Sequence, residues 1–317
     1  MASQNNISRL DYIYQFIGSG KFNQSNADYF AARVSGLYRS SDGGKSWTSA
    51  FDSLNLQKDL SALAVAVSPD LEVDHSIFVG LNGGILRSPD NGRHWESALL
   101  PSPPPVISAL AISPNFIQDG IVFAGTLEDG MLRSSDRGER WYAWNFGLLD
   151  LNVLCLAISP DFANDETLFV GTQSGIFRST NGGRSWREVS LPIGFEAVLS
   201  LAISPSFDRD ATLFAGTENK GLLYSYDGGQ TWEKMSKSIL KEPVNAIVLT
   251  PNFDARPDIL ILHGSSALVS YNGGKIWKSW RGNVLAKKAV TAIYAPLGFT
   301  PQSPVLVGFA DGAILNF

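Results

Sequence analysis

The stretch from Gly175 to Trp186, GIFRSTNGGRSW, decides the fold, because it returns five more times. The other copies are GLYRSSDGGKSW (36–47), GILRSPDNGRHW (84–95), GMLRSSDRGERW (130–141), GLLYSYDGGQTW (221–232) and SALVSYNGGKIW (266–277). Every copy has Ser in its fifth place, Asp or Asn in its seventh, Gly in its ninth and Trp in its twelfth. The copies begin 45 to 48 residues apart, a period that marks a repeat architecture.

Within the unit an apolar run enters, Ser-x-Asp/Asn-x-Gly reverses the chain, and Ser/Thr-Trp leaves as the next strand. The seventh-place side chains Asp42, Asp90, Asp136, Asn181, Asp227 and Asn272 can accept hydrogen bonds from turn amides. The ninth-place Gly supplies a positive φ without steric cost. The rings of Trp47, Trp95, Trp141, Trp186, Trp232 and Trp277 each need a partner surface, which the neighbouring repeat can offer. Each copy therefore reads as a structural hairpin between two antiparallel strands.

Outward from the hairpin, each repeat shows two further strands. An inner one ends in Ser-Pro or Thr-Pro, as in CLAISP to Pro160, and a second follows, as in TLFVGT. Four strands in about 45 residues make a propeller blade. Counting inner strands predicts an all-β, seven-bladed propeller in one domain, 1–317. Its blades fall near 10–50, 60–98, 105–145, 152–190, 197–236, 243–280 and 289–317. The seventh blade stops at GAILNF, before an Asp/Asn turn and a fourth strand, so the ring is expected to be closed by the N-terminal segment. Asn5 to Leu10 is one candidate for that strand; the alternative is that LDYIYQFI (10–17) closes the ring and blade one is abbreviated. The first-to-second strand links carry Asp74, Asp119, Asp165 and Asp210 in one column, read as caps of their own turns.

Ser-x-Asp-x-Gly-x-x-Trp is the Asp-box, or BNR repeat. From about Tyr12 onward the chain resembles the Asp-box β-propeller families: uncharacterised BNR-repeat proteins and, more distantly, the photosystem II stability/assembly factors. The second resemblance implies scaffolding of another complex. Sialidases and xyloglucanases also use Asp-boxes, so the repeat alone does not give the function.

A net charge of −5 gives no reason to expect nucleic acid or an anionic membrane as partner. The one cysteine, Cys155, sits in an apolar strand and excludes a disulfide framework. The polar start MASQNNISRLDY has no apolar signal-like core, and no apolar run is long enough to span a membrane, so a cytoplasmic protein is expected.

No catalytic constellation stands out. A sialidase-like site needs converging arginines, whereas Arg39, Arg87, Arg133 and Arg178 occupy equivalent places in separate blades; they are expected to pack over a neighbouring blade's Trp or to pair with carboxylates. The closest match to the sialidase Arg-Ile-Pro is Ala32-Arg33-Val34. A xyloglucanase-like glycoside hydrolase needs two carboxylates across a cleft, and the candidates are Glu128, Asp129, Glu218 and Asp311. His75, His94 and His263 lack ligand spacing, so neither metal nor cofactor is expected. The irregular segments are the fourth-to-first strand links, where function concentrates on repeat scaffolds. WNFGLLDLN (144–152) stands out among them. The reading is a non-catalytic scaffold that binds a protein through Trp144, Phe146 and Phe195, side by side on one face, with Glu128, Asp129 and Glu218 nearby. The alternatives are a glycoside hydrolase, or a carbohydrate-binding lectin that stacks sugar on Trp144 or Trp280.

Overall fold

Each repeat forms one antiparallel sheet whose strands pair in chain order, and seven such sheets follow one another in the computed structural model. The structure describes residues 10–18, 27–235, 240–286, 288–296, 298–299 and 303–317. Blade four shows the plan, with strands Val153–Ile158, Leu168–Thr172, Ile176–Ser179 and Arg187–Val189 from the inside out. Among the described residues, blades one to six have four strands and blade seven has three, Val290–Tyr294, Leu306–Phe309 and Ile314–Asn316. LDYIYQFI supplies the innermost strand of a complete blade one, Ile13–Gly18. This corrects the alternative of an abbreviated first blade. Of the other candidate, Asn5 to Leu10, residues 5–9 lie outside the described residues.

Apolar side chains from facing blades make a core in every seam. The second strands are buried on both faces, which explains why LFVGT and LFAGT read as continuous apolar runs. Their glycines have a specific reason. A Cβ on Gly125 would lie 2.5 Å from Val153 Cγ1, and one on Gly171 2.7 Å from Val198 Cγ1, both in the next blade's first strand. At the closing seam Gly308 meets Ile13 in the same way, 2.9 Å from its Cδ1. The ring therefore closes by the packing that joins its other blades. Arg33 reinforces it: the guanidinium lies 4.0 Å over the Tyr38 ring and donates to Gly312 O at 2.8 Å. Asp11 N–H also donates to Ala310 O, at 2.9 Å.

The first-to-second strand links contain something the sequence reading did not anticipate. Leu71–Asp74, Phe116–Asp119, Phe162–Asp165 and Phe207–Asp210 are single helical turns. Their aspartates cap as expected: Asp165 accepts Ser159 Oγ–H at 2.6 Å and Thr167 N–H at 2.8 Å, and the other three repeat the pattern. The leading Phe of three turns packs edge-on against the preceding blade, as Phe162 does on Phe123 at 5.7 Å.

The Asp-box turns are small hydrogen-bond cages. In blade five Asp227 accepts from the Gln230 and Thr231 amides at 2.9 Å each, from Ser225 Oγ at 2.8 Å and from Thr231 Oγ1 at 2.5 Å. Ser225 Oγ in turn accepts Gly229 N–H at 2.9 Å. The ninth-place Gly183 has φ +84°, and a Cβ there would sit 3.1 Å from Phe123 of blade three. Glycine is thus required twice, by the turn and by the neighbour.

These cages make a pH prediction. Burial pushes the Asp227 carboxyl up, but the hydrogen bonds from Thr231, Ser225 and Gln230 outweigh it and hold the group at about 2. Asp90 stands at about 2 by the same balance, with His94 as its main donor. Hydrogen bonds led by the Ser46 hydroxyl lower Asp42 as well. A carboxylate whose pKa is depressed on folding stabilises above its unfolded value of about 4 and loses that contribution as pH falls. Stability should decline between about pH 4 and pH 2, and Asp227→Ala should remove part of that slope. The substitution should also cost on the order of 1–3 kcal/mol at neutral pH through unpaired turn amides. Thermal melts of both proteins across that range check the two statements together.

Candidate interaction surface

The link from blade three to blade four, 144–152, is fixed at almost every residue. Trp144 lies with Arg133 4.2 Å over its ring and Arg184 5.9 Å away. The Trp144 carbonyl accepts Trp186 Nε1–H and the Phe146 carbonyl accepts Trp186 N–H, both at 2.8 Å. Asn145 accepts Met131 N–H at 2.7 Å and donates to Asp129 O at 2.9 Å. A Cβ on Gly147 would collide with the Trp186 carbonyl, so only glycine lets the chain pass there. Leu148 is buried in the seam. Asp150 accepts Ser174 N–H at 2.8 Å and Asn152 N–H at 3.0 Å; these hydrogen bonds overcome burial and keep its carboxyl below the usual value.

What this scaffolding leaves outside is apolar. Phe146 is 80% exposed and Leu149 77%, on either side of Gly147 and the buried Leu148. Tyr142 and Leu99 are exposed along the same rim, Leu99 being held by hydrogen bonds to Glu139 and Trp141. Large apolar side chains on a pinned backbone suit docking, because little ordering entropy remains to be lost on contact.

Phe195 is also 80% exposed, but it belongs to a second group. Its neighbour Glu196 donates its N–H to Ser174 O, whereas Phe146 is tied to Trp186. Ser174 precedes the strand Ile176–Ser179 and Trp186 stands opposite its far end, roughly 16 Å away along the strand direction. The expectation of three rings side by side is thus corrected to Trp144 with Phe146, and Phe195 apart. The acidic candidates divide likewise: Asp129 touches Asn145 of the first link, and Glu218 N–H bonds Ala197 O in the second. Glu128 is exposed beside Asp129.

The stacking platforms of the lectin alternative are compromised. Trp280 is 9% exposed, with Phe299 and Phe317 against its ring, and Trp144 already carries Arg133. The carboxylate candidates do not face across a cleft. Glu128, Asp129, Glu218 and Asp311 stand exposed on links of blades three, five and seven. Glu218 and Glu196 share the Asn219 amide at 3.4 and 3.1 Å, a turn lock on open surface.

The third-strand arginines do not meet a neighbour's Trp. Arg39 pairs with Asp28 at 2.8 Å and Arg87 with Glu96 at 2.8 Å; each also donates to the next blade's turn, at Asn91 O and Arg137 O. Arg178 lies 5.9 Å from Phe169 of its own blade. Among the described residues no group of three or more His, Cys, Asp or Glu is placed to hold a metal.

The axis of the ring is a channel of about 290 Å³ lined by all seven first strands. Ser108, Cys155 and Ser200 face it, but each donates to the next blade, to Val153 O, Val198 O and Val244 O. Cys155 thus lines the channel while packing against the core between blades four and five. It still sits deep in protein, where burial pushes its thiol up to about 12 and makes it a poor nucleophile.

Six Asp-boxes in register on seven blades make the chain a BNR-repeat (Asp-box) β-propeller. Residues 137–282, a little under half of it, match the family model of the photosynthesis system II assembly factor YCF48. Among solved structures, YCF48 bound to D1 peptide is similar at TM-score 0.69 and 17% identity, covering 97% of this chain and 93% of that one. YCF48 from Cyanidioschyzon merolae is similar at TM-score 0.66 and 16% identity, over 97% and 95% of the two chains. The GH74 enzyme of Niastella koreensis is similar at 0.72 and 18%, covering 96% of this chain and 52% of that one. The extracellular domain of a B. thetaiotaomicron two-component system reaches 0.72 and 15% over 97% of this chain, which spans only 38% of that chain's length. At such identities these likenesses describe the fold. No curated protein matches the sequence. Among the described residues no helix is long and apolar enough to cross a membrane.

Proposed function

We propose that the protein is a non-catalytic assembly scaffold that docks a protein partner on the outer rim of blades three and four. The observation that carries this reading is the exposed pair Phe146 and Leu149 on a link whose neighbouring residues Trp144, Phe146, Leu148 and Asn152 are held by hydrogen bonds. The similar YCF48 structure bound to D1 peptide supports a peptide or protein as ligand. A glycoside hydrolase is the weaker reading, because the candidate carboxylates stand exposed on links of blades three, five and seven.

The test is a Phe146→Ser, Leu149→Ser double variant. Both side chains are exposed, so stability should change by no more than about 0.5 kcal/mol per site. Apolar anchors at an interface contribute about 2 kcal/mol or more, so capture of the partner by tagged protein from its own host should fall roughly thirtyfold. A folded variant that recovers the same partners in the same amounts would remove this surface from the account.

A further inference from the structure

Three histidines occur in the chain, His75, His94 and His263, and one of them is held as a hydrogen-bond acceptor. His75 Nδ1 lies 2.9 Å from Leu71 O, and His94 Nδ1 meets the Asp90 carboxylate, so each keeps its bond when the ring is protonated. His263 is different. Its Nε2 accepts the backbone N–H of Glu242 at 3.0 Å. A backbone N–H can only donate, so this nitrogen carries no proton and the ring's hydrogen is on Nδ1. A second proton would set two N–H groups against each other and end the bond.

Position sets His263 apart as well. It closes the second strand of blade six, Ile259–His263, and pairs with Val244. In blades four and five the same register holds Thr172 and Thr217, opposite Val153 and Val198. Their hydroxyls donate within the blade, to Gly175 O and Gly221 O. His263 instead reaches out of its sheet to the residues that lead into blade six, 240–243. Those residues help fill the seam between blades five and six: Leu240 is buried among Leu222, Val244 and Trp277. A Cβ on Gly221 would lie 2.7 Å from Leu240 O, and Gly264 N–H donates to Pro243 O at 2.7 Å.

Few charges surround the ring. The strands Val244–Leu249 and Ser266–Ser270, on either side of Ile259–His263, carry no titratable side chain. The first strand of blade seven carries Tyr294 at its far end, and Lys288 just before that strand lies over the Phe309 ring. On blade five the turn against Leu240 carries Glu218 and Lys220, both exposed. Glu242 is the acidic group that acts on the imidazole, with Lys241 beside it in the chain. Burial holds the ring below its ordinary value of about 6.5, against the pull of that carboxylate.

We infer that His263 is an acid-released latch: neutral, it ties residues 240–243 to blade six, and protonated, it drops the Glu242 backbone and turns to the Glu242 carboxylate. Leu240, two residues away, is then held less firmly in the seam. An imidazole whose pKa is depressed on folding stabilises the fold above its unfolded value and loses that contribution as pH falls from about 6.5 toward the folded value. This window lies above that of the Asp-box carboxylates, so the two losses separate on the pH axis. The latch concerns blades five and six and does not rest on docking at Phe146 and Leu149.

The test follows amide exchange at Glu242 in the full chain between about pH 7.5 and about pH 5, corrected for the intrinsic rate. Protection there should fall about tenfold on acidification, while the Leu260 and Ile261 amides in the middle of the strand keep theirs. His263→Gln retains an acceptor but cannot titrate, so Glu242 should stay protected across the range. His263→Thr, the residue of blades four and five, should leave Glu242 unprotected at every pH. Glu242→Gln, at an exposed side chain that leaves folding intact, removes the group that favours protonation and should move the loss to lower pH. Nitrogen shifts of the ring should place its hydrogen on Nδ1 at neutral pH. Undiminished protection in the native chain at about pH 5 would overturn the proposal. So would an equal loss in His263→Gln, an unmoved loss in Glu242→Gln, or a hydrogen on Nε2 at neutral pH.

Discussion

Replacing Trp186 by Ala should cost roughly 3–5 kcal/mol, the range for truncating a large buried aromatic. The ring is 3% exposed in the seam between blades three and four, among Phe123, Met131, Val153 and Phe162. Its loss removes that contact area and the Nε1–H bond to Trp144 O. The link 144–152 depends on that bond, so order in the link should fall with stability. Urea unfolding measures the first and amide exchange at Phe146 and Leu148 the second. A loss under 1 kcal/mol would mean that the seam does not rely on its Asp-box ring.

Gly171→Val should be comparably damaging for the opposite reason. The first added carbon would lie 2.6 Å from Cys155 Sγ, 2.7 Å from Val198 Cγ1 and 2.8 Å from Val198 O. One of these neighbours is backbone, so no rotamer relieves the clash, and the seam between blades four and five must open. Overpacking of this kind costs about 1–3 kcal/mol and more where the backbone has to move. Gly175→Ala is the control: its nearest neighbour is Leu191 Cδ1 at 3.8 Å, and about 1 kcal/mol or less is expected. Equal melting temperatures for the two variants would contradict close blade approach as the reason for these glycines.

The blade plan was legible because Asp227 and Trp232 recur at fixed spacing and each fulfils its role within a repeat or its immediate seam. Contacts between blades were less legible. Gly80, Gly125, Gly171, Gly216 and Gly308 share one column, yet nothing local distinguishes a strand glycine that a neighbour needs from one that merely weakens the strand. The helical turns starting at Phe116, Phe162 and Phe207 read as loops because four residues are too few for helical periodicity; only the recurring Ser-Pro-x-Phe-x-x-Asp marks them.

The candidate site was half legible. WNFGLLDLN stood out by composition, but its rigidity depends on Trp186 and Asn145 contacts that sequence spacing does not reveal. Trp144 and Trp280 show the same limit. They hold the same place in their repeats, three residues after the Asp-box Trp. Trp280 is buried because Phe299 and Phe317 of blade seven close over it, while Trp144 meets Arg133 and stays half-exposed.

The central claim is that the Asp-boxes hold the ring together while the irregular links do its work. It is tested most directly by comparing Asp227→Ala with Phe146→Ser, Leu149→Ser for melting temperature and for partner capture per folded molecule. The account predicts a lowered melting temperature with undiminished capture for the first, and an unchanged melting temperature with capture lost for the second. Capture lost in Asp227→Ala at an unchanged melting temperature would contradict it, and would move the working surface to the Asp-box face.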